Sequence, residues 1–183
     1  KDLGFDLKNV LSVFPGYSKD MVTFADELKS KSYVKSMSNG VFLFNAESRL
    51  TKYPIDNTAK VINASHVLGD KEYIKVHNIE LLQGRNFNSV DGYRMLGGTR
   101  FRRPEKMKYT EVIVNEEFVR KANLKNPIGT LLDEGYYQIV GVFKNIYNAP
   151  LYNPIVPTVI SYSFSQGANQ FQILYEAGYR KTL

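Results

Sequence analysis

Few residues in this sequence could bind a metal ion. It contains two histidines, His66 and His77, and no cysteine. His77 lies three residues before Glu80, so both would face the same side of a helix and offer two ligands. A zinc site needs three or four ligands, and no other histidine or cysteine completes this pair. The pattern favours a structural or surface role, and we expect neither a metal nor a cofactor.

The candidates for a catalytic nucleophile are equally weak. Ser32 and Lys35 match the Ser-x-x-Lys motif of acyl-enzyme hydrolases, but the Ser-Asp-Asn and Lys-Thr-Gly elements of that chemistry do not occur. Adjacent acids at positions 26–27, 116–117 and 133–134 would point away from each other on a helix, so they do not form acid/base pairs. We therefore predict no catalytic residues and a protein that is not an enzyme.

One basic segment, residues 91–108, stands out. It carries six cations against Asp91 and Glu105, a local charge of +4 out of a net +6. These cations form our candidate anion or partner patch: Arg94, Arg100, Arg102, Arg103, Lys106 and Lys108. The segment could contact phosphate or an acidic partner surface, or it could be a solvated loop, as charge runs usually are. No nucleic-acid-binding motif accompanies it, so we expect no nucleic acid partner.

The composition is typical of a globular domain. The chain has 183 residues, of which 43% are hydrophobic and 23% charged. No apolar run approaches the roughly 18–20 residues that span a bilayer. The abrupt start at Lys1 and end at Leu183 suggest a domain cut from a longer protein.

The hydrophobic pattern alternates between strands and helices. Met21, Phe24, Ala25 and Leu28 recur at helical spacing and predict a core-facing helix from about Ser18 to Lys31. Asp70 and Asn115 are placed to cap two further helices, the second ending at residues 126–129. Strands are predicted at residues 9–14, 34–44, 59–67, 111–114, 136–143, 158–164 and 170–175, with loops at 45–60 and 145–157.

Three blocks of the sequence carry a family resemblance. They are KEYIKVHNIELLQGRNF at 71–87, VIVNEEFVRKANLKNPIGTL at 112–131, and IVGVFKN at 139–145. In this order they resemble the periplasmic core domain of MacB/FtsX-like ABC-transporter permeases. By that resemblance the motif residues are structural, with turns at Gly84 and Gly129, caps at Asp70 and Asn115, and a helix stop at Pro127.

The resemblance implies an α+β fold with two lobes. A porter-like βαβ lobe would be interrupted by an inserted mixed α/β lobe. Residues 1–45 would form the first half of the porter-like lobe, 46–154 the inserted lobe, and 155–183 the returning strands with a truncated closing helix.

It also implies a function. The chain would be the non-catalytic, extracytoplasmic domain of an inner-membrane permease, lying in the periplasm and coupling membrane motion to an envelope partner or substrate. An ABC ATPase domain or subunit would act through the rest of the protein, with a periplasmic adaptor as a further partner and a homodimer as the full-length form. The alternative is a periplasmic sensor or ligand-binding module for a peptide, lipid or glycan.

Overall fold

The computed structural model describes residues 6–14, 21–40, 50–88, 93–94, 108–147, 154–164 and 170–178. These residues form a mixed α/β fold. In chain order its elements are β1 (Val10–Val13), α1 (Met21–Lys29), β2 (Val34–Asn39), β3 (Leu50–Pro54), β4 (Val61–Gly69), α2 (Tyr73–Val76), β5 (Leu81–Gly84), β6 (Tyr93–Arg94), β7 (Thr110–Asn115), α3 (Glu116–Ala122), β8 (Leu131–Leu132), β9 (Tyr137–Phe143), β10 (Thr158–Phe164) and β11 (Phe171–Tyr175).

The small sheet has three strands in the order β1-β11-β2. Strand β11 is antiparallel to both neighbours, so β1 and β2 run parallel and form a split βαβ unit with α1. Ala25 of α1 is buried with Met37, Phe171 and Ile173, and Phe24 and Leu28 pack against this cluster. The helical face predicted from the spacing of these residues is therefore confirmed at Phe24, Ala25 and Leu28.

The larger sheet has the order β3-β4-β10-β7-β9-β5, with β6 added beside β10 and β8 beside β9. It is mixed: β10 is parallel to β4 and antiparallel to β7, which in turn is parallel to β9. Each face has its own apolar core, one including Tyr73 and Ile74 of α2 and the other including Phe118 and Ala122 of α3.

The late strands divide between the two sheets, which corrects one prediction. The segment from residue 155 onward was expected to return to the porter-like unit as a whole. Strand β11 does pair with β1, with Val10 opposite Leu174, but β10 lies inside the larger sheet between β4 and β7. The reason is that both faces of β10 are apolar: Ile160 joins the core beside α2 and Val159 the core beside α3, and both are fully buried.

Three local predictions also need correction. Residues 50–54, expected in a loop, form edge strand β3, whose Tyr53 is fully buried. Helix α3 ends at Ala122 because Asn123 adopts a left-handed conformation, φ 55°, so Pro127 is not the residue that stops it. Helix α2 begins at Tyr73 with Glu72 at its N-cap position, so Asp70 does not cap it.

Two turn predictions and one cap prediction are confirmed. Gly84 and Gly129 have positive φ of 71° and 88°. Asn115 accepts a hydrogen bond from the N–H of Phe118 at 3.0 Å, as an N-cap does. Its Oδ1 also accepts from the N–H of Thr158 at 2.9 Å, so this side chain ties α3 to β10.

Candidate functional site

Most of the basic segment lies outside the described residues. This applies to Arg100, Arg102, Arg103 and Lys106. Arg94 is described only in its backbone, as part of β6, and Lys108 is exposed just before β7. The structure therefore describes two of the six predicted cations, Lys108 with its side chain and Arg94 in its backbone alone.

The buried carboxylate of Glu111 forms hydrogen bonds to residues that precede the basic segment. Glu111 of β7 accepts a hydrogen bond from Arg85 Nη2 at 2.6 Å and another from the N–H of Asn88 at 2.8 Å. The hydrogen bond to Glu111 raises the pKa of Arg85. Asn88 lies three residues before the basic segment and Glu111 lies three residues after it, so this hydrogen bond joins the described residues on either side of the segment.

The basic segment is also attached near a crossing between the sheets. Strand β6 pairs with Ser163 and Phe164, at the end of β10. From there the chain passes through residues 165–169 to β11 in the small sheet.

The two sheets meet through the segment that leads into α2, and Asp70 is central to this contact. Its Oδ1 accepts from Ser38 Oγ at 2.8 Å, and its Oδ2 accepts from the N–H of Asn39 at 2.7 Å. The N–H of Glu72 also donates to Oδ1, at 3.0 Å. A carboxylate on the larger sheet's side is therefore held by strand β2 of the small sheet.

Two further hydrogen bonds strengthen this junction. Ser36 Oγ donates to Glu72 Oε2 at 2.7 Å, and the N–H of Asp6 donates to the carbonyl oxygen of His77 at 3.3 Å. Burial raises the pKa of Asp70, although its hydrogen bonds act in the opposite direction. We call Ser36, Ser38, Asn39, Asp70 and Glu72 the junction residues.

Sequence reasoning missed the junction, although a signal was present. Ser36 and Ser38 alternate within a predicted strand, so they share one face of β2. Both are buried, Ser38 completely. Buried hydroxyls need partners, so this alternation could have indicated a polar contact with another element.

The two histidines and Ser32 offer no catalytic geometry. His66 Nε2 shares a hydrogen bond with Ser161 Oγ at 2.6 Å, but Ser161 is 1% exposed and cannot reach a substrate. His77 Nδ1 donates to the carbonyl oxygen of Tyr73 at 2.9 Å. Ser32 is exposed, while Lys35 Nζ lies 3.9 Å from Glu176 Oε1.

Burial governs the charge state of both imidazoles. Desolvation lowers the pKa of His66 to about 4 and that of His77 to about 4. Neutral rings pack among aromatic neighbours, and the His77 ring lies 4.2 Å from that of Tyr73. Both imidazoles are therefore neutral near neutral pH and contribute to packing in the protein interior.

The described residues contain neither a cluster of metal-ligating side chains nor a membrane-spanning helix. In that part of the chain no group of three or more His, Asp or Glu side chains is placed to hold a metal ion. None of the helices there combines the length and apolar character needed to cross a bilayer.

The fold is that of the periplasmic or extracellular domains of ABC transporters. The periplasmic region of MacB from Actinobacillus actinomycetemcomitans is similar with a TM-score of 0.60 and 15% identity, covering 96% of this chain and 78% of that one. A permease domain from Porphyromonas gingivalis gives 0.58 and 12%, covering 95% and 78%. The extracellular domain of the noncanonic ABC-type transporter YknZ from Gram-positive bacteria gives 0.56 and 13%, covering 95% and 88%.

These similarities confirm, at the level of the fold, the resemblance read from the three sequence blocks. No protein-family model matches the chain, and no curated protein matches it either.

Proposed function

We propose that this chain is the extracytoplasmic domain of an ABC-transporter permease subunit and couples movement in the membrane to a partner or substrate outside it. The observation that carries the proposal is the fold shared with the periplasmic region of MacB over 96% of this chain. Its role is mechanical, so the proposal requires no catalytic residue.

The pairing of β1 with β11 supports the idea that movement in the membrane reaches this domain at one end of the small sheet. Val10 at the start of β1 lies opposite Leu174 near the end of β11, and the N–H of Tyr175 donates to the carbonyl oxygen of Asn9 at 3.0 Å. The segments before β1 and after β11 therefore leave the sheet side by side. Two membrane spans joined to them would move the small sheet as one unit.

We propose two lobes that differ slightly from the expected division. The porter-like lobe contains β1, α1, β2 and β11, and the inserted lobe runs from β3 to β10. This assignment follows the strand pairing, since β10 contributes to both cores of the larger sheet.

The partners follow from this role. An ABC ATPase domain or subunit would supply energy through the rest of the protein, in the inner membrane, with this domain in the periplasm. A periplasmic adaptor would dock outside the membrane, and the full-length permease would form a homodimer.

The basic segment is proposed as an anion or partner patch on this domain. Each cation near an anionic membrane contributes on the order of 1 kcal/mol. Replacing Arg100, Arg102 and Arg103 by Ser should therefore weaken binding to anionic vesicles by roughly 2–3 kcal/mol at low salt. Replacing Lys29, Lys121 and Lys125, three exposed lysines elsewhere, provides the matched control. Equal binding by both triple variants would contradict the patch.

Accessibility in cells tests the proposed location. The sequence contains no cysteine, so a single cysteine placed at exposed Asn63 gives one labelling site in this domain. In the full-length protein we expect a membrane-impermeant maleimide to label it in intact cells. Labelling only after lysis would contradict an extracytoplasmic domain.

Purification of the full-length protein tests the permease role. We expect an ABC ATPase to purify with it, and transport to stop when that ATPase is inactivated. A full-length protein that binds a peptide, lipid or glycan but associates with no ATPase would instead indicate the sensor or ligand-binding module.

A further inference from the structure

The small sheet presents a polar face to the larger one. Ser36, Ser38 and Gln172 are buried on the strands β2 and β11, with Ser38 and Gln172 both 0% exposed. Ser38 lies opposite Gln172 in the strand register. The apolar core of the small sheet lies beneath α1 and includes Phe171 and Ile173, the neighbours of Gln172 along β11. A polar layer therefore lies between the small sheet's core and the larger sheet.

Two acidic side chains complete this layer from the other side. Asp70 accepts three hydrogen bonds, two of them from β2, and Glu72 accepts one from Ser36. Such bonds can be exchanged for bonds to water when the layer opens, whereas the contacts of an apolar core have no replacement in water. Separation along this layer would leave Ala25 and Met37 packed in the core of the small sheet and Ile74 packed in the core beside α2.

We propose that the junction residues form a reversible latch between the two sheets, with Asp70 as its positioning residue. When the latch is closed, β2 is fixed to the segment before α2. When it opens, the small sheet and α1 move away together while each apolar core stays intact. Its use in transmitting membrane motion rests on the coupling role proposed above, but the latch itself does not.

Gly40 provides a second, independent test of the closed state. It follows β2 at the point where the chain leaves the small sheet. A Cβ on Gly40 would lie 2.6 Å from the carbonyl oxygen of Leu68 and 3.1 Å from the ring of Tyr73. The closed arrangement therefore needs a residue without a side chain here, and Gly40→Ala should push it open without altering any hydrogen-bonding group of the latch.

Distance measurements between spin labels test the latch directly. The chain has no cysteine, so Lys29→Cys on α1 and Asn63→Cys on β4 place one label on each sheet at exposed positions. Removal of the hydrogen bonds to the charged Asp70 carboxylate should shift the equilibrium between the closed and the open latch by about tenfold or more. We expect Asp70→Ala to increase the population at longer distances by about that factor over the parent chain, and Gly40→Ala, which acts by steric clash, to shift the population in the same direction.

A matched carboxylate variant controls for general loosening. Asp56 accepts a hydrogen bond from the N–H of Glu134 at 3.0 Å, remote from the junction, so Asp56→Ala should leave the distance distribution unchanged. The milder Ser38→Ala should give an intermediate shift, which keeps the test valid if Asp70→Ala folds poorly.

The proposal is overturned if folded Ser38→Ala and Gly40→Ala chains keep the parent distribution. It is also overturned if opening the junction always unfolds both cores together, as followed by circular dichroism. All these measurements use this chain alone, so a failed latch is distinguishable from a failed transport function.

Discussion

Lowering the pH from 7 to 5 should destabilise the protein through its two histidines. In the folded state burial lowers the pKa of His77 from 6.5 to about 4, and that of His66 also to about 4. Between pH 6.5 and 4 the unfolded chain therefore binds more protons than the folded chain. Stability is fully present above pH 6.5 and is lost as the pH falls through this window.

The size of the effect follows from the linkage relation. A group with a pKa of 6.5 unfolded and about 4 folded contributes about 2 kcal/mol less at pH 5 than at pH 7. His77 is fully buried and should show this change. His66 keeps some exposure and should show less, so about 4 kcal/mol is the upper bound for the pair. Asp70 changes the stability in the opposite direction: its pKa is raised in the folded state, so its contribution to stability increases as the pH falls.

Urea denaturation at pH 7, 6 and 5 measures this dependence. His77→Asn retains a donor for the carbonyl oxygen of Tyr73, and His66→Gln retains a partner for Ser161, so both variants preserve the hydrogen bonds while removing the titration. The sequence contains only these two histidines, so the double variant removes every imidazole. If the double variant loses as much stability between pH 7 and 5 as the parent chain, the reasoning is wrong.

Three substitutions test the fold itself by thermal or urea unfolding. Asn115→Ala leaves the buried N–H groups of Phe118 and Thr158 without their acceptor and should cost about 2–4 kcal/mol; a loss below about 0.5 kcal/mol would refute its bridging role. Glu134→Gly should stabilise the protein by up to about 1 kcal/mol, because Glu134 has a left-handed φ of 55°; a lower melting temperature would contradict this. Gly84→Ala should cost at least about 1 kcal/mol, since φ is 71° and the new Cβ would meet the carbonyl oxygen of Val140; an unchanged midpoint would count against the steric argument.

The sequence was most informative where a local signal and burial agree. The spacing of Phe24, Ala25 and Leu28 predicts the buried face of α1, and the Asn115 cap with two acids after it predicts the start of α3. Both signals act over a few residues, and at both places the packing of the fold agrees with them.

Pairing between distant strands was less predictable. Residues 50–54 lie in a polar, irregular stretch that contains Pro54 and predicts a loop, yet they form an edge strand because Tyr53 fills the core beside α3. Likewise Asp70 has the position of a helix cap, but Ser38 and the N–H of Asn39 compete for its carboxylate from more than 30 residues away. Such partners depend on the whole fold, so local spacing could not reveal the junction.

The position of β10 and β11 has a consequence for the order in which the chain can fold. Strand β10 lies between β4 and β7, and β11 lies between β1 and β2, so each sheet lacks an inner strand until this last stretch has been synthesised. Translation must therefore pass Thr158 before either sheet can close. Pairing of Val10 with Leu174 also joins positions far apart in the chain, a topology that slows folding because a long loop must close first. The earlier strands of such a protein must not aggregate before β10 and β11 have been synthesised. A stop codon shortly before Thr158 would leave both sheets incomplete.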